Sequence, residues 1–126
     1  MSKILIVDDD EGVREMCRMV LSTEGYDVVE ADSGPGGVNL ARKEQPHLVL
    51  LDWMMPDVDG MDTLRMLKAS QATSGIPVIM LTALDGLPQI SLATMNGADG
   101  YVVKPFEVDD LLRLVKRFTE QPAATD

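Results

Sequence analysis

The sequence has few cysteines, few basic residues and no long apolar run. Its 126 residues include one cysteine, Cys17, which excludes an internal disulfide framework and favours a reducing cytoplasm. No apolar stretch approaches the ~20 residues of a membrane span, and the first residues lack the basic-then-apolar layout of a signal peptide. Acidic residues outnumber basic ones by 21 to 11, so this domain is not expected to bind nucleic acid or an anionic membrane directly.

What the sequence does contain is an alternation of apolar runs and amphipathic stretches, repeated five times. Uninterrupted runs such as I-L-I-V and L-V-L-L are typical of strands that are buried on both faces of a parallel sheet. The predicted strands span residues 3–7, 27–31, 48–51, 77–81 and 100–103. This alternation predicts an α/β fold with a parallel sheet and right-handed crossovers. If the first strand lies beside both the second and the third, the sheet is a flavodoxin-like five-stranded parallel sheet in the order 2-1-3-4-5, with helices on both faces.

The amphipathic stretches predict five helices. The first begins at Glu11 and is stopped by Gly25, and Ser33 is the predicted N-cap of the second. The fourth, within residues 87–96, has apolar residues that do not fall on one clean face. We expect residues 1–119 to form one domain and residues 120–126 to be a tail or the beginning of a linker.

Polar residues of complementary kinds follow four of the five predicted strands. Asp8 and Asp9 follow the first, Asp52 the third, Thr82 the fourth and Lys104 the fifth. Because parallel strands bring their carboxyl ends to one edge of a sheet, these residues should converge there. Crowded carboxylates repel one another, and a divalent cation such as Mg²⁺, which prefers oxygen ligands, would relieve that repulsion. A carboxylate in such a site can attack phosphorus, while a lysine and a hydroxyl stabilise the phosphoryl oxygens.

Each of these residues taken singly has an ordinary explanation. An aspartate after a strand is usually a turn former or a helix cap, and the run Asp8-Asp9-Asp10-Glu11 could be no more than a capped helix start. Their joint occurrence at matching strand ends is what favours a phosphoryl-transfer site centred on Asp52.

Four segments together resemble the response-regulator receiver domain of two-component signalling. They are I-L-I-V-Asp8-Asp9, L-V-L-L-Asp52-W-M-M-Pro56-D-V-D-Gly60, V-I-M-L-Thr82-Ala83 and G-A-D-G-Tyr101-V-V-Lys104-Pro105-F. The resemblance extends over about residues 3 to 119. It implies that Asp52 is the phosphorylation site and that the peptide bond between Lys104 and Pro105 is cis.

The resemblance also implies a ligand set and a switch. Asp9, Asp52 and the backbone carbonyl of Met54 would bind Mg²⁺ directly, Asp8 would bind it through water, and Mn²⁺ could substitute for Mg²⁺. A second group, the switch pair, would consist of Thr82 and Tyr101.

The implied partners are proteins. A histidine kinase or a histidine phosphotransfer protein would donate the phosphoryl group. The surface of the fourth helix, fifth strand and fifth helix would then change its affinity for a protein target or a fused output domain. In the family, the positions of Met54 and Leu84 influence how fast the phosphate is lost. Both residues are apolar here and cannot position an attacking water, so we expect a long-lived phosphate.

Two other functions remain open from the residues alone. A small phosphatase could use Asp52 as a turnover nucleophile, although no water-activating base is apparent. A flavodoxin-like binding module would share the topology, but Asp8, Asp9 and Asp10 would repel a flavin phosphate.

Several other residues have structural interpretations. His47 is expected to be a surface residue and Cys17 a small core residue. The nine methionines are expected mostly to fill gaps in the core. Asp57 and Asp59 are interpreted as loop and cap residues, and Trp53 could shield or report on the site.

Overall fold

The computed structural model describes residues 2–55, 58–83 and 86–119. Five strands alternate with five helices along this chain. In order they are β1 (Lys3–Val7), α1 (Glu11–Thr23), β2 (Asp27–Ala31), α2 (Gly34–Glu44), β3 (Leu48–Asp52), α3 (Gly60–Ala69), β4 (Val78–Thr82), α4 (Leu87–Met95), β5 (Gly100–Val103) and α5 (Val108–Thr119). The predicted tail, residues 120–126, lies outside the described residues, as do Pro56, Asp57, Leu84 and Asp85. Within the described ranges, none of the helices is both long and apolar enough to cross a membrane.

The strands form one parallel sheet in the order β2-β1-β3-β4-β5, which confirms the predicted fold. Strand β1 pairs with both β2 and β3, so the strand order reverses between β1 and β3. At the carboxyl ends, Asp52 lies opposite Leu81 and Thr82 lies opposite Val103. Ligands of open α/β sheets bind at the edge where such a reversal occurs.

The sheet separates two apolar layers, because successive side chains of a strand point to opposite faces. In β1, Leu5 and Val7 belong to one layer, and Ile4 and Ile6 belong to the other. Every residue of β3 and β4 is buried, as their unbroken apolar runs predict. By contrast, β2 is partly exposed, in agreement with its prediction as an edge strand.

Acidic and hydroxyl side chains fix the starts of three helices. Asp10, Ser33 and Asp59 are the N-caps of α1, α2 and α3, and each accepts a hydrogen bond from a backbone N–H of the first turn. The cap interpretation of Asp59 is therefore confirmed. At Gly60, a Cβ would collide with the backbone carbonyl of Asp52, so this position needs glycine for α3 to begin so close to the end of β3.

The expectation for the methionines is wrong for most of those that the structure describes. Met55, Met61 and Met80 are buried, whereas the larger set is exposed: Met16, Met19, Met54, Met66 and Met95. Apolarity alone does not say which face of a helix a residue occupies, and isolated exposed apolar residues are common on protein surfaces. Cys17 is buried and His47 is exposed, in agreement with their predictions.

Candidate functional site

The structure brings the predicted acids and the predicted lysine together at the carboxyl edge of the sheet. Asp52 is the last residue of β3, Asp8 follows β1 directly, and Lys104 follows β5 directly. One carboxylate oxygen from each of Asp8, Asp9 and Asp52 lies within 4.8 Å of the other two. This separation is small enough for the three oxygens to share one ion.

Lys104 bridges two of the three acids. Its Nζ donates to Oδ2 of Asp8 at 2.8 Å and to Oδ1 of Asp52 at 3.4 Å. Burial acts to lower the pKa of Lys104, but the hydrogen bond that Lys104 donates to Asp8 and the charges of Asp8 and Asp52 outweigh it, so the pKa is raised. The ammonium group is therefore charged at neutral pH and placed to balance negative charge at Asp52.

Asp52 is an acid in an unfavourable environment. Burial raises its pKa to about 6, and the neighbouring carboxylates of Asp8 and Asp9 contribute in the same direction. Lys104 opposes this rise through its charge and its hydrogen bond. At neutral pH most of the Asp52 side chains are ionised, and further positive charge at the site would stabilise that ionised form.

Asp8 and Asp9 are held differently although they are adjacent. Asp8 is fully buried, and its two carboxylate oxygens accept from the backbone N–H of Asp10 and from Lys104. Asp9 is exposed, and its carboxylate makes no hydrogen bond or ion pair with the residues that the structure describes. Asp9 therefore has ligand oxygens to offer, whereas those of Asp8 are already engaged.

Thr82 and Tyr101 lie on the other side of Asp52. Thr82 ends β4, is fully buried, and accepts a backbone hydrogen bond at 2.8 Å from the N–H of Lys104. Tyr101 lies on β5, and its ring meets that of Trp53 edge to face at a centroid distance of 6.4 Å. Trp53 follows Asp52 directly, so this aromatic contact joins β5 to the start of the loop that carries the site.

A family model, the response regulator receiver domain, matches residues 4–116. The chain belongs to this family. RpaA of Synechocystis, a DNA-binding dual master transcriptional regulator, is 40% identical over 92% of this chain and 48% of its own length. The DNA-binding response regulator MtrA of Mycolicibacterium smegmatis is 39% identical over 96% of this chain and 54% of its own length. The receiver domain therefore spans about half the length of these curated relatives.

Solved structures of receiver domains have the same fold. The chemotaxis protein CheY4 of Vibrio cholerae superimposes with a TM-score of 0.89 at 29% identity, covering 94% of this chain and 98% of that one. A CheY-like receiver domain protein of Methanospirillum hungatei gives a TM-score of 0.89 at 31% identity, with 98% of each chain covered. The bond between Lys104 and Pro105 is cis, as the resemblance implied.

The remaining predicted residues have less defined places. Met54 lies two residues beyond β3, and its side chain is 62% exposed. Leu84, the other residue predicted to influence phosphate loss, lies outside the described residues. The run from Asp8 to Glu11 contributes both to the acid cluster and to a helix start, because Asp8 and Asp9 belong to the cluster while Asp10 caps α1.

Sequence reasoning missed one residue that touches the site's backbone. Arg14 of α1 donates from Nη1 to the carbonyl oxygen of Asp8 at 2.7 Å, and its Nε donates to Oε1 of Glu30 on β2 at 3.2 Å. In the sequence, Arg14 does not differ from the other charged residues of the amphipathic helix α1. The pairing with Glu30 joins residues 16 positions apart, so no local spacing indicates it.

The donor set of this edge suits a hard divalent cation. It consists of carboxylate oxygens from Asp8, Asp9 and Asp52, and receiver domains generally bind Mg²⁺. A sulfur or imidazole ligand, which would favour zinc or copper, is not among the clustered groups in the described part of the chain.

Proposed function

We propose that this receiver domain accepts a phosphoryl group on Asp52 from a histidine kinase or a histidine phosphotransfer protein. One observation carries the proposal: the Asp52 carboxylate lies within reach of a lysine ammonium group and two further carboxylates at the carboxyl edge of the sheet. The family membership supports the same chemistry. A phosphoacceptor, rather than an enzyme with turnover on external substrates, is the function that these features favour.

In the transfer step, an oxygen of ionised Asp52 attacks phosphorus as the phosphorus–nitrogen bond of the donor's phosphohistidine breaks. The product is an acyl phosphate on Asp52, and the donor imidazole leaves with the electron pair of the broken bond. Lys104 places its ammonium group against the charge that develops on the phosphoryl oxygens. Thr82, at the neighbouring strand end, supplies a hydroxyl that can donate to one of those oxygens.

The proposed cation is Mg²⁺, for which Mn²⁺ can substitute. Asp9 and Asp52, together with the backbone carbonyl of Met54, are the proposed direct ligands. Asp8 is proposed to act through water, which fits the engagement of both its carboxylate oxygens inside the protein. When bound, the cation supplies the positive charge that lets several carboxylates and a phosphoryl group share one site.

The proposed output is a change in the surface formed by α4, β5 and α5. Thr82 would move toward the phosphoryl oxygens, and Tyr101 would change its place on β5. The ring of Tyr101 already lies against Trp53, so a change there alters the exposed side of β5. The recipient is a protein target or a fused output domain. The DNA-binding names and double length of RpaA and MtrA support a longer regulator.

Incubation with acetyl phosphate and Mg²⁺ tests the site directly. Intact-mass measurement should show the addition of one phosphoryl group to the wild-type domain and none to Asp52→Asn. Asp59→Asn is the matched control, since Asp59 is a nearby loop acid whose capping role asparagine preserves. It should be phosphorylated like wild type. Phosphorylation of Asp52→Asn to the wild-type extent would overturn the assignment.

Phosphate lifetime is a separate part of the proposal. Met54 is exposed beside the site and cannot hold an attacking water by a hydrogen bond, so the acyl phosphate should persist without a phosphatase. The double variant Met54→Asn with Leu84→Glu introduces groups that can. Timing phosphate loss by mass should show faster loss in the double variant, and an unchanged or slower loss would contradict this part.

A further inference from the structure

Arg14 and Glu30 form a clamp on the backbone that carries the two N-terminal acids of the site. The guanidinium of Arg14 donates to the carbonyl oxygen of Asp8 at 2.7 Å and to Glu30 at 3.2 Å. Its side chain is 16% exposed, although arginine usually lies in solvent. Neither residue belongs to the acid cluster, and neither is needed for the chemistry proposed for Asp52.

Arg14 bonds to the carbonyl oxygen of Asp8, which lies just beyond the point where β1 stops pairing with β2. Strand β1 ends at Val7, and the N–H of Asp8 still donates to the carbonyl of Ala31 on β2 at 3.1 Å. The next carbonyl, that of Asp8, receives its hydrogen bond from Arg14 instead. The amide and carbonyl of Asp8 are therefore anchored to two separate elements.

A peptide unit is planar, so anchoring its oxygen also fixes the direction in which the next residue leaves. The unit that contains the carbonyl of Asp8 also contains the N–H of Asp9 and ends at its Cα. Asp9 is exposed, and no hydrogen bond from the described residues holds its carboxylate. The peptide units on both sides of Asp9 are thus held by hydrogen bonds: Arg14 holds the carbonyl of Asp8, and Oδ1 of Asp8 accepts from the N–H of Asp10 at 2.9 Å. Of these two bonds, only the one from Arg14 comes from another element of the fold.

We infer that Arg14, oriented by Glu30, is a positioning residue for the cation site, aligning Asp9 through the Asp8–Asp9 peptide unit. The inference rests on the proposed function, because it assumes that Asp9 is a cation ligand. Glu30 holds the guanidinium with Oε1, while its Oε2 lies 3.4 Å from Nε of Arg18. Arg14 is hydrogen-bonded to Glu30, whereas Arg18 makes only a longer ion pair with it, so Glu30 orients the arginine that touches Asp8.

The sign of the effect separates positioning from simple electrostatics. Arg14 is a cation near a cation site, so its charge alone opposes Mg²⁺ binding, and removing that charge should tighten binding. If Arg14 positions Asp9, removing it should weaken binding instead. Loss of groups that orient metal ligands commonly costs tenfold or more in affinity, so we expect Arg14→Met to bind Mg²⁺ about tenfold more weakly.

Calorimetric titration of the metal-free domain with Mg²⁺ is the test, and Arg18→Met is the matched control. Arg18 lies one turn further along the same helix and pairs with the same glutamate, but the structure gives it no bond to Asp8. Arg18→Met should bind Mg²⁺ within about twofold of wild type. Arg14→Lys keeps the positive charge but lacks the planar guanidinium that reaches both Asp8 and Glu30, so it should weaken binding roughly threefold; it provides a second measurement should Arg14→Met fail to fold.

The outcomes separate this inference from the proposed function. Equal or tighter Mg²⁺ binding by Arg14→Met and Arg14→Lys, with wild type binding normally, would overturn the positioning role and leave the phosphoacceptor site intact. Equal weakening in Arg18→Met would also overturn it, because a general loss of charge on α1 would then explain the result. A wild-type domain that does not bind Mg²⁺ would contradict the cation site itself, and the inference with it.

Discussion

The first and fourth strand–helix units of the receiver domain both reach the site but are attached to the rest of the molecule in opposite ways. Between β1 and α1, Asp10 caps the helix by accepting from the N–H groups of Gly12 and Val13. Arg14 then ties the helix back to Asp8. Between β4 and α4, the N-cap is Gly86, which has no side chain with which to cap.

The two helices differ equally in burial. Helix α1 buries Cys17 and Leu21 on a pronounced apolar face. Helix α4 contains no charged residue, and it leaves Leu87 and Met95 77% and 82% exposed while burying Ala93. Segments with few buried apolar contacts open and move at low free-energy cost. The difference indicates a firm half, around β1 and α1, that holds two of the acids, and a loosely attached half, around β4 and α4, which is the one that the proposed phosphorylation of Asp52 would change.

A matched pair of leucine truncations should show the largest effect of this difference. Leu21→Ala in α1 should lower the free energy of unfolding by about 3 kcal/mol, because it leaves a cavity in the core. Leu92→Ala in α4 removes a side chain that is 41% exposed and should cost less than about 1 kcal/mol. Urea unfolding measures both values. Equal losses would mean that α4 is anchored as firmly as α1.

Removing the charge of Asp52 should stabilise the metal-free domain. The pKa of about 6 in the folded protein lies above the ordinary value of 3.8, so the folded state holds the proton more tightly than the unfolded state. The stability gained from protonation is fully present below pH 4 and is lost as the pH rises through 6. At pH 7, Asp52→Asn should therefore be more stable than wild type by about 2 kcal/mol.

Unfolding of both proteins in a chelating buffer at pH 4 and pH 7 measures this gap. The difference in the free energy of unfolding between the two proteins should be small at pH 4 and should increase as the pH rises. A gap of the same size at both values would show that ionisation of Asp52 is not its source.

The helix caps should give the smallest effects, of opposite sign at the two helices. Asp10→Ala removes the α1 cap and should cost about 1 kcal/mol. Gly86→Ser supplies a capping hydroxyl to α4 at a backbone conformation open to any residue, and its Cβ displaces only the flexible end of the Gln89 side chain. The variant should therefore gain a few tenths of a kcal/mol of stability. Thermal unfolding of both variants checks the signs. A loss of stability in Gly86→Ser would contradict the view that α4 lacks a cap.

The positions of the strands and the gathering of the acids could be predicted because both depend on local signals. An unbroken apolar run followed by Asp52 marks a buried strand and the point where it leaves the core. Once the strands are parallel, Asp8 and Lys104 must join Asp52 at the same edge. The chemistry follows from the residue types there and needs no side-chain detail.

What could not be predicted depends on contacts between distant segments. Nothing near Arg14 in the sequence indicates that its partner is Glu30 on the edge strand, or that its second bond goes to a backbone oxygen. The exposure of Met95 was missed for a related reason. The apolar residues of α4 do not fall on one face, so its pattern does not distinguish the buried face from the exposed one.

The measurement that tests this account most directly is amide hydrogen exchange of wild type and Asp52→Asn, each with Mg²⁺ and with or without acetyl phosphate. We expect acetyl phosphate to change exchange in α4 and β5 of the wild-type domain, to leave α1 unchanged, and to have no effect on Asp52→Asn. The same change in Asp52→Asn would contradict the assignment of the phosphorylation site. A change in α1 as large as that in α4 would contradict the division into a firm half and a responsive half.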